Sequence, residues 1–209
     1  MPFVNREEAA KRLAKLLEEY KEKNPLILAI PRGAVPMAQI IADRIGGEID
    51  VVLVHKLGAP GNPEYAVGSV DEYGHIYLGE GVTLLGLSKE YLDDEAKAQL
   101  SMLKDRRRFY TEVREAINPT GRIVIIIDDG IATGSTMIAA IHGIREQKPK
   151  KIVVAVAVAP PDTIVKIQKI ADEVICLETP LYFGAVGAFF DDFRQVSDKE
   201  VMEILRKRS

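Results

Sequence analysis

The sequence predicts an α/β fold: a mostly parallel central sheet flanked by helices, with a flexible loop or hairpin insertion and a small C-terminal hood. Three observations carry that prediction. Runs of mainly β-branched residues at 26–30, 51–54, 124–127, 152–158 and 174–177 are apolar throughout, as strands covered on both faces are. Stretches of helical period stand between most of these runs, the order from which parallel sheets are built. No Gly-, Pro- or Ser-rich linker divides the chain, so residues 1–209 read as one domain.

Each element has its own local cause. Asn5 is placed to cap a helix, with Glu8 at the third helical position. Ala9, Leu13, Leu16, Leu17 and Tyr20 then share one apolar face, and Asn24-Pro25 ends that helix. The strand at 26–30 leads through Pro31-Arg32-Gly33 into a helix that stops at Gly46-Gly47, and 51–54 returns as a second strand. This spacing is that of a right-handed βαβ unit. The Gly- and Pro-rich stretch 57–63 reads as a loop, and 65–70 with 75–78 as a hairpin across Asp71-Glu72-Tyr73-Gly74. A polar helical region follows from about 88 to 116, its Arg106-Arg107-Arg108 reading as a solvated face, with reach to a phosphate as the alternative. The tail from 178 to 196 is rich in Phe and Gly, and Ser197 with Glu200 forms a capping box before a last helix.

Composition excludes several classes of function. The 209 residues can bury one core of about 70% of the unfolded surface. There are 28 basic and 31 acidic residues, so the net charge of −3 offers no global field for nucleic acid or an anionic membrane. One cysteine, Cys176, rules out an internal disulfide and suits a reducing cytoplasm. The charged N-terminal run is unlike a signal peptide, and no apolar run reaches the roughly 18 residues of a membrane span. His55, His75 and His142 are scattered, without zinc-ligand spacing.

The chemistry concentrates at 124–136. A buried strand ends in two adjacent carboxylates, Asp128 and Asp129, where open parallel sheets bind ligands. Gly130, Ile131, Ala132, Thr133, Gly134, Ser135 and Thr136 then form a short loop that opens a helix. Such a loop aims backbone N–H groups and hydroxyls at one spot, and the helix dipole favours an anion there. Acids beside an anion site suit the hydroxyls of a sugar or a bound cation, and a phosphorylated ribose supplies a partner for both halves. A P-loop would need four residues between its glycines and a lysine after the second, whereas Gly130 and Gly134 enclose three and Ser135 follows. A buried strand with an acidic helix cap would explain one carboxylate but not its neighbour.

The run 124–136 resembles the phosphoribosyl-pyrophosphate (PRPP) motif of the type I phosphoribosyltransferases. The resemblance implies that Asp128 and Asp129 hold the ribose hydroxyls and that Ala132, Thr133, Gly134, Ser135 and Thr136 hold the 5′-phosphate. Residues 30–34 resemble the family's pyrophosphate loop, with Arg32 as phosphate donor and a cis peptide expected at Gly33. Lys56 resembles the basic residue aimed at the pyrophosphate. Residues 57–118 would be a mobile insertion whose start closes over the reaction, and 178–196 a hood in which Phe183 and Phe190 stack on the acceptor. Packing of those rings onto the sheet is the plain alternative. At the position just before Thr133-Gly134 the 6-oxopurine enzymes carry Asp. Ala132 is similar to the adenine and orotate types, and it speaks against a hypoxanthine or guanine acceptor. The whole chain is most similar to provisionally named phosphoribosyltransferases of no stated acceptor.

The expected activity is transfer of a 5-phosphoribosyl group from PRPP to a nitrogen acceptor of the nucleobase kind, with Mg²⁺ held mainly through PRPP and release of pyrophosphate. A homodimer is the family's default. A non-catalytic PRPP or nucleotide sensor, and phosphorolysis or hydrolysis of a phosphoribosylated compound, remain alternatives.

Overall fold

The computed structural model describes residues 3–79 and 81–207, apart from the side chains of Pro63 and Glu64. The first half of the chain runs β1 (Phe3–Asn5), α1 (Arg6–Leu16), β2 (Leu26–Ala29), α2 (Ala34–Ile45), β3 (Glu48–Val51), β4 (Val54–Ala59), β5 (Asn62–Asp71) and β6 (Ile76–Leu78). It continues through α3 (Gly81–Leu84), α4 (Lys89–Thr111), β7 (Ile123–Asp128), α5 (Ser135–Glu146), β8 (Lys151–Val158), α6 (Pro161–Gln168), β9 (Glu173–Glu178), β10 (Phe190–Asp192) and α7 (Asp198–Arg206). The reading of residues 1 and 2 falls outside the described residues.

A five-stranded sheet in the order β3-β2-β7-β8-β9 forms the centre, every pair parallel. Its residues divide by alternation. Ile27, Ala29, Ile125, Ile127, Val153 and Ala155 face one core with Ala9 and Leu13 of α1 and Ala38 and Ile41 of α2. Leu26, Leu28, Val124, Ile126, Ile152 and Val154 face the other, with Met137, Ala140 and Ile141 of α5 and Ile167 of α6. Strands buried on both faces need apolar side chains at every position, which is why these runs do not alternate. Among the described residues no helix is long and apolar enough to cross a membrane.

Local expectations mostly hold. The Asn5 side chain accepts from Glu8 N at 3.0 Å, and Ser88 caps α4 by accepting from Tyr91 N at 3.2 Å. Ser197 and Glu200 form the reciprocal capping box that starts α7. β5 and β6 pair antiparallel, Ser69 opposite Tyr77, and the turn between them is held by Asp71, whose Oδ1 accepts from Tyr73 N and His75 N.

Three expectations are corrected. The second strand of the parallel sheet is Glu48–Val51, not 51–54, and the chain leaves that sheet before Val54. Its first residue, Glu48, is polar and lies at the strand's solvent end, where periodicity does not register it. The stretch 57–63 is not a loop. It lies in β4, in β5 and in the tight connection between them, with Val54 opposite Asp71 and Ala59 opposite Asn62. Gly58 stands where the register shifts, so the glycine marks an irregularity within a strand rather than its end. The third correction concerns Arg107, which is not part of a solvated face. Its side chain is 14% exposed, lies 3.1 Å from Asp50 Oδ1 and also binds Glu72. Two buried acids, one from β3 and one beyond β5, thus anchor α4 to the sheets.

The tail also takes a form that periodicity does not predict. A 3₁₀ turn at Val186–Phe189 leads into β10, which pairs parallel with β1, Phe3 opposite Phe190 and Asn5 opposite Asp192. The tail of the chain is thereby fixed to its beginning.

Candidate active site

The site begins with β7, the middle strand of the sheet. It places Asp128 at its carboxyl end, level with the end of β2, where Ile30 N donates to Ile127 O at 3.0 Å. The chain leaving β2 and the chain leaving β7 therefore enter the same space. Gly33 sits in that space against Asp129: a Cβ there would collide with Asp129 Oδ2. Only glycine permits this approach, and it joins two segments separated by almost a hundred residues. A cis peptide is present in this loop at Pro31–Arg32, not at Gly33 as expected.

The 130–134 loop is tied down at two adjacent residues. Ile131 N donates to Val158 O at 2.8 Å, which fixes the loop to β8. Thr163 Oγ1, on the first turn of α6, donates to Ala132 O at 2.8 Å. Gly134 then adopts a left-handed φ of +87° and starts α5 with no side chain to cap it. Thr133 Oγ1 and Ser135 Oγ lie 3.3 Å apart across this turn. Asp128, the segment 130–137 and Val186 of the tail enclose a cavity of about 200 Å³. Its floor is a helix N-terminus without a side-chain acceptor of its own, which is chemistry for an incoming anion.

The two acids are held differently. Asp128 Oδ1 accepts from the backbone N of Asp129 at 2.9 Å. Burial pushes the Asp128 carboxyl well above the usual carboxylate range, and the neighbouring Asp129 charge pushes it further. Burial also raises Asp129, against the pull of Arg6, whose Nε lies 2.7 Å from Asp129 Oδ2. Sequence reasoning missed Arg6. A signal was present: Arg6 lies three and four residues before Ala9 and Ala10, so it shares the buried face of α1. A charged residue on such a face needs a partner.

The other candidates are spread more widely. Arg32 turns towards α7, with Nη1 3.1 Å from Asp198 Oδ2, while Tyr110 Oη meets the same carboxylate at 3.2 Å. Lys56 is half-buried on β4, opposite Ser69, in the antiparallel sheet that packs on α5. Phe190 takes the packing alternative: its ring is 6% exposed, between Phe3 at 5.2 Å and Phe193 at 5.0 Å. An acceptor stacked on Phe190 is thus corrected, because both neighbours of the ring are already aromatic. Phe183 is half-buried and stacks on Phe189 at 5.2 Å. The open ring of the tail is Tyr182, 93% exposed. Burial raises the Cys176 thiol to about 11, which suits packing and not nucleophilic attack.

The crystal structure of TT1426 from Thermus thermophilus is similar to this chain over the whole of both, with 41% identity and a TM-score of 0.88. A Mycobacterium tuberculosis protein provisionally named a phosphoribosyl transferase is 39% identical over 204 residues, which are 97% of this chain and 46% of the relative. The chain thus spans about half the length of the curated relatives it first matches. The uracil phosphoribosyltransferase of Mycoplasma genitalium is 34% identical over 88 residues, 42% of this chain and 39% of that one. Residues 5–192 match the model of the phosphoribosyl transferase domain. With the carboxylate pair, the glycine-started helix and a sheet of this order already in place, that match settles the family: the chain belongs to the phosphoribosyl transferase domain family.

Proposed function

We propose that the chain transfers the 5-phosphoribosyl group of PRPP to a ring nitrogen of a nucleobase-like acceptor, releasing pyrophosphate. The observation that carries this reading is the meeting of Asp128, Asp129, Gly33 and the uncapped start of α5 at one end of the sheet. The acceptor's nitrogen forms a bond to the anomeric carbon as the bond from that carbon to the pyrophosphate oxygen breaks; the electron pair leaves with pyrophosphate, and the nitrogen's proton is released to water. The ribose gains positive character as this happens, so two carboxylates beside it lower the barrier. The same carboxylates accept from the ribose hydroxyls, while the 132–136 segment donates to the 5′-phosphate. Arg32 and Lys56 serve the pyrophosphate. Arg32 reaches it by exchanging Asp198 for phosphate oxygens. The two side chains are 37% and 41% exposed, and a pair that open contributes only about 0–1 kcal/mol.

The donor set suits Mg²⁺ that arrives with its substrate. Among the described residues no group of three or more His, Cys, Asp or Glu could hold a metal alone. Asp128 and Asp129 offer the one or two carboxylates that Mg²⁺ takes alongside phosphate oxygens. When bound, the ion supplies Lewis-acid stabilisation of the leaving pyrophosphate. In this reading the segment 57–118 moves over the reaction and excludes water, 178–196 forms the hood, and the protein works as a cytoplasmic homodimer.

The test is pyrophosphate release from Mg²⁺·PRPP, without acceptor and then with pooled purines, pyrimidines and other ring nitrogens. The pyrimidine pool includes uracil, because one similar protein is a uracil enzyme. Release with one pool alone supports transfer, and dividing that pool identifies the base. Release without any acceptor would replace transfer by hydrolysis. Binding of PRPP with no release would favour the sensor.

A further inference from the structure

Arg6 opens α1, 123 positions before the carboxylate it meets. Its Nε donates to Asp129 Oδ2 at 2.7 Å, and its Nη1 donates to the Arg194 carbonyl, also at 2.7 Å. The guanidinium carbon stands 3.7 Å from the centroid of the Phe193 ring. On another side lies Gly33, where an added Cβ would come within 2.9 Å of Arg6 Nη2. One planar group therefore touches the acid after β7, the loop after β2 and the tail around β10. It is 13% exposed and Asp129 is 14% exposed, which separates the contact from ordinary surface pairs. A guanidinium with its face on a ring and its edge on two acceptors is held in orientation as well as place. A lysine could supply the charge but not this fork.

Asp128 needs no such help, since the backbone of Asp129 holds it. Asp129 has Arg6. Without it, two neighbouring carboxylates would repel, and Asp129 would lose its fixed position relative to Gly33. Resting on the function proposed above, we infer that Arg6 is a positioning residue for phosphoribosyl transfer. It fixes the Asp129 carboxylate against the Gly33 loop and ties the tail, through Phe193 and the Arg194 carbonyl, to that carboxylate. Arg6 acts through Asp129 and not on the substrate. Phe193 belongs to the same device, because its ring fixes the plane of the guanidinium.

The experiment compares the wild type with Arg6→Gln, Arg6→Lys, Phe193→Leu and the Gln–Leu double variant. PRPP binding in the presence of Mg²⁺ is measured by calorimetry, pyrophosphate release is measured with the active acceptor pool, and urea unfolding is followed on the same preparations. Arg6→Gln is expected to weaken PRPP binding about 10- to 100-fold. Arg6→Lys should restore most of the stability but little of the affinity. Phe193→Leu should weaken binding less, and the double variant should bind no worse than Arg6→Gln. Wild-type affinity in Arg6→Gln, or losses that multiply in the double variant, would overturn the inference. If Arg6→Gln does not fold, Arg6→Lys with wild-type affinity would overturn it equally. A wild type that neither binds nor consumes PRPP would instead remove the proposed function itself, so the two failures are distinguishable.

Discussion

The wall of the site made by β7, the 130–134 loop and α5 comes from consecutive residues seated in the parallel sheet. The wall that carries Arg6 is assembled from the two ends of the chain: β1 and the start of α1, with β10 and the residues just after it. The first is set mainly by neighbouring residues, with braces from Val158 and Thr163. Buried β-branched residues set the strand, Asp128 leans on the backbone N–H of Asp129, and Gly134 supplies the left-handed turn. The second depends on partners that meet only after folding. In the proposed function the first wall carries the ribose and phosphate contacts, and the second reaches that wall through Arg6 and Asp129.

The largest effect that would break this comparison concerns Asp128. Asp128→Asn should lower turnover about 10²- to 10³-fold, as loss of a preorganised electrostatic contact does. Its effect on stability should have the opposite sign. The folded carboxyl titrates above its ordinary value, so folding takes up a proton between the unfolded and folded values. Stability from this group is fully present below the unfolded value and is lost as pH rises through the folded one. The melting temperature of Asp128→Asn, relative to wild type and without Mg²⁺ or PRPP, should therefore climb as pH rises from about 4. A variant that melts lower at neutral pH would show Asp128 to be a structural acid.

Next comes Gly33→Ala, which tests the meeting of the two segments. The new Cβ would stand against Asp129 Oδ2, so the loop or the carboxylate must move. Overpacking of this kind costs about 1–3 kcal/mol. PRPP affinity should fall further than urea stability does. Equal PRPP binding by calorimetry would mean that the contact between Gly33 and Asp129 is incidental. Thr163→Val should be milder. It removes the donor to Ala132 O while keeping the side chain's shape, at a cost of about 1 kcal/mol. If the brace holds the phosphate loop, KM for PRPP should rise with little change in kcat.

Local determination also explains what could be read before folding. β7 was legible because a strand buried on both faces writes itself as an unbroken apolar run, and the acids follow at once. The Asn5 cap and the Ser197–Glu200 box were legible because their partners lie three residues apart. β4 and β5 were not fully legible, because Gly58, Pro60 and Gly61 carry turn chemistry into a hairpin whose pairing only the partner strand reveals. Arg107 was misread for the same reason: its acids, Asp50 and Glu72, lie 57 and 35 residues away. Nothing in the local pattern joins Arg6 to Asp129, although the position of Arg6 on a buried face marked it as needing a partner. The Phe residues of the tail were legible as apolar, but their facing was not, since Phe190 is defined by Phe3 at the other end of the chain.

The smallest effect sharpens the comparison at the tail. Leu181 and Tyr182 are 86% and 93% exposed, whereas Phe190 is 6% exposed in the same segment. An exposed ring contributes little to folding, so Tyr182→Ala should change unfolding free energy by no more than about 0.5 kcal/mol. Phe190→Leu, by contrast, should be visible in the melt, because it removes a ring packed between two others. If the tail is the acceptor's wall, Tyr182→Ala should raise KM for the acceptor and leave KM for PRPP unchanged. A change in PRPP alone would place Tyr182 on the donor side. The tail around Tyr182 would then serve the donor alongside Arg6.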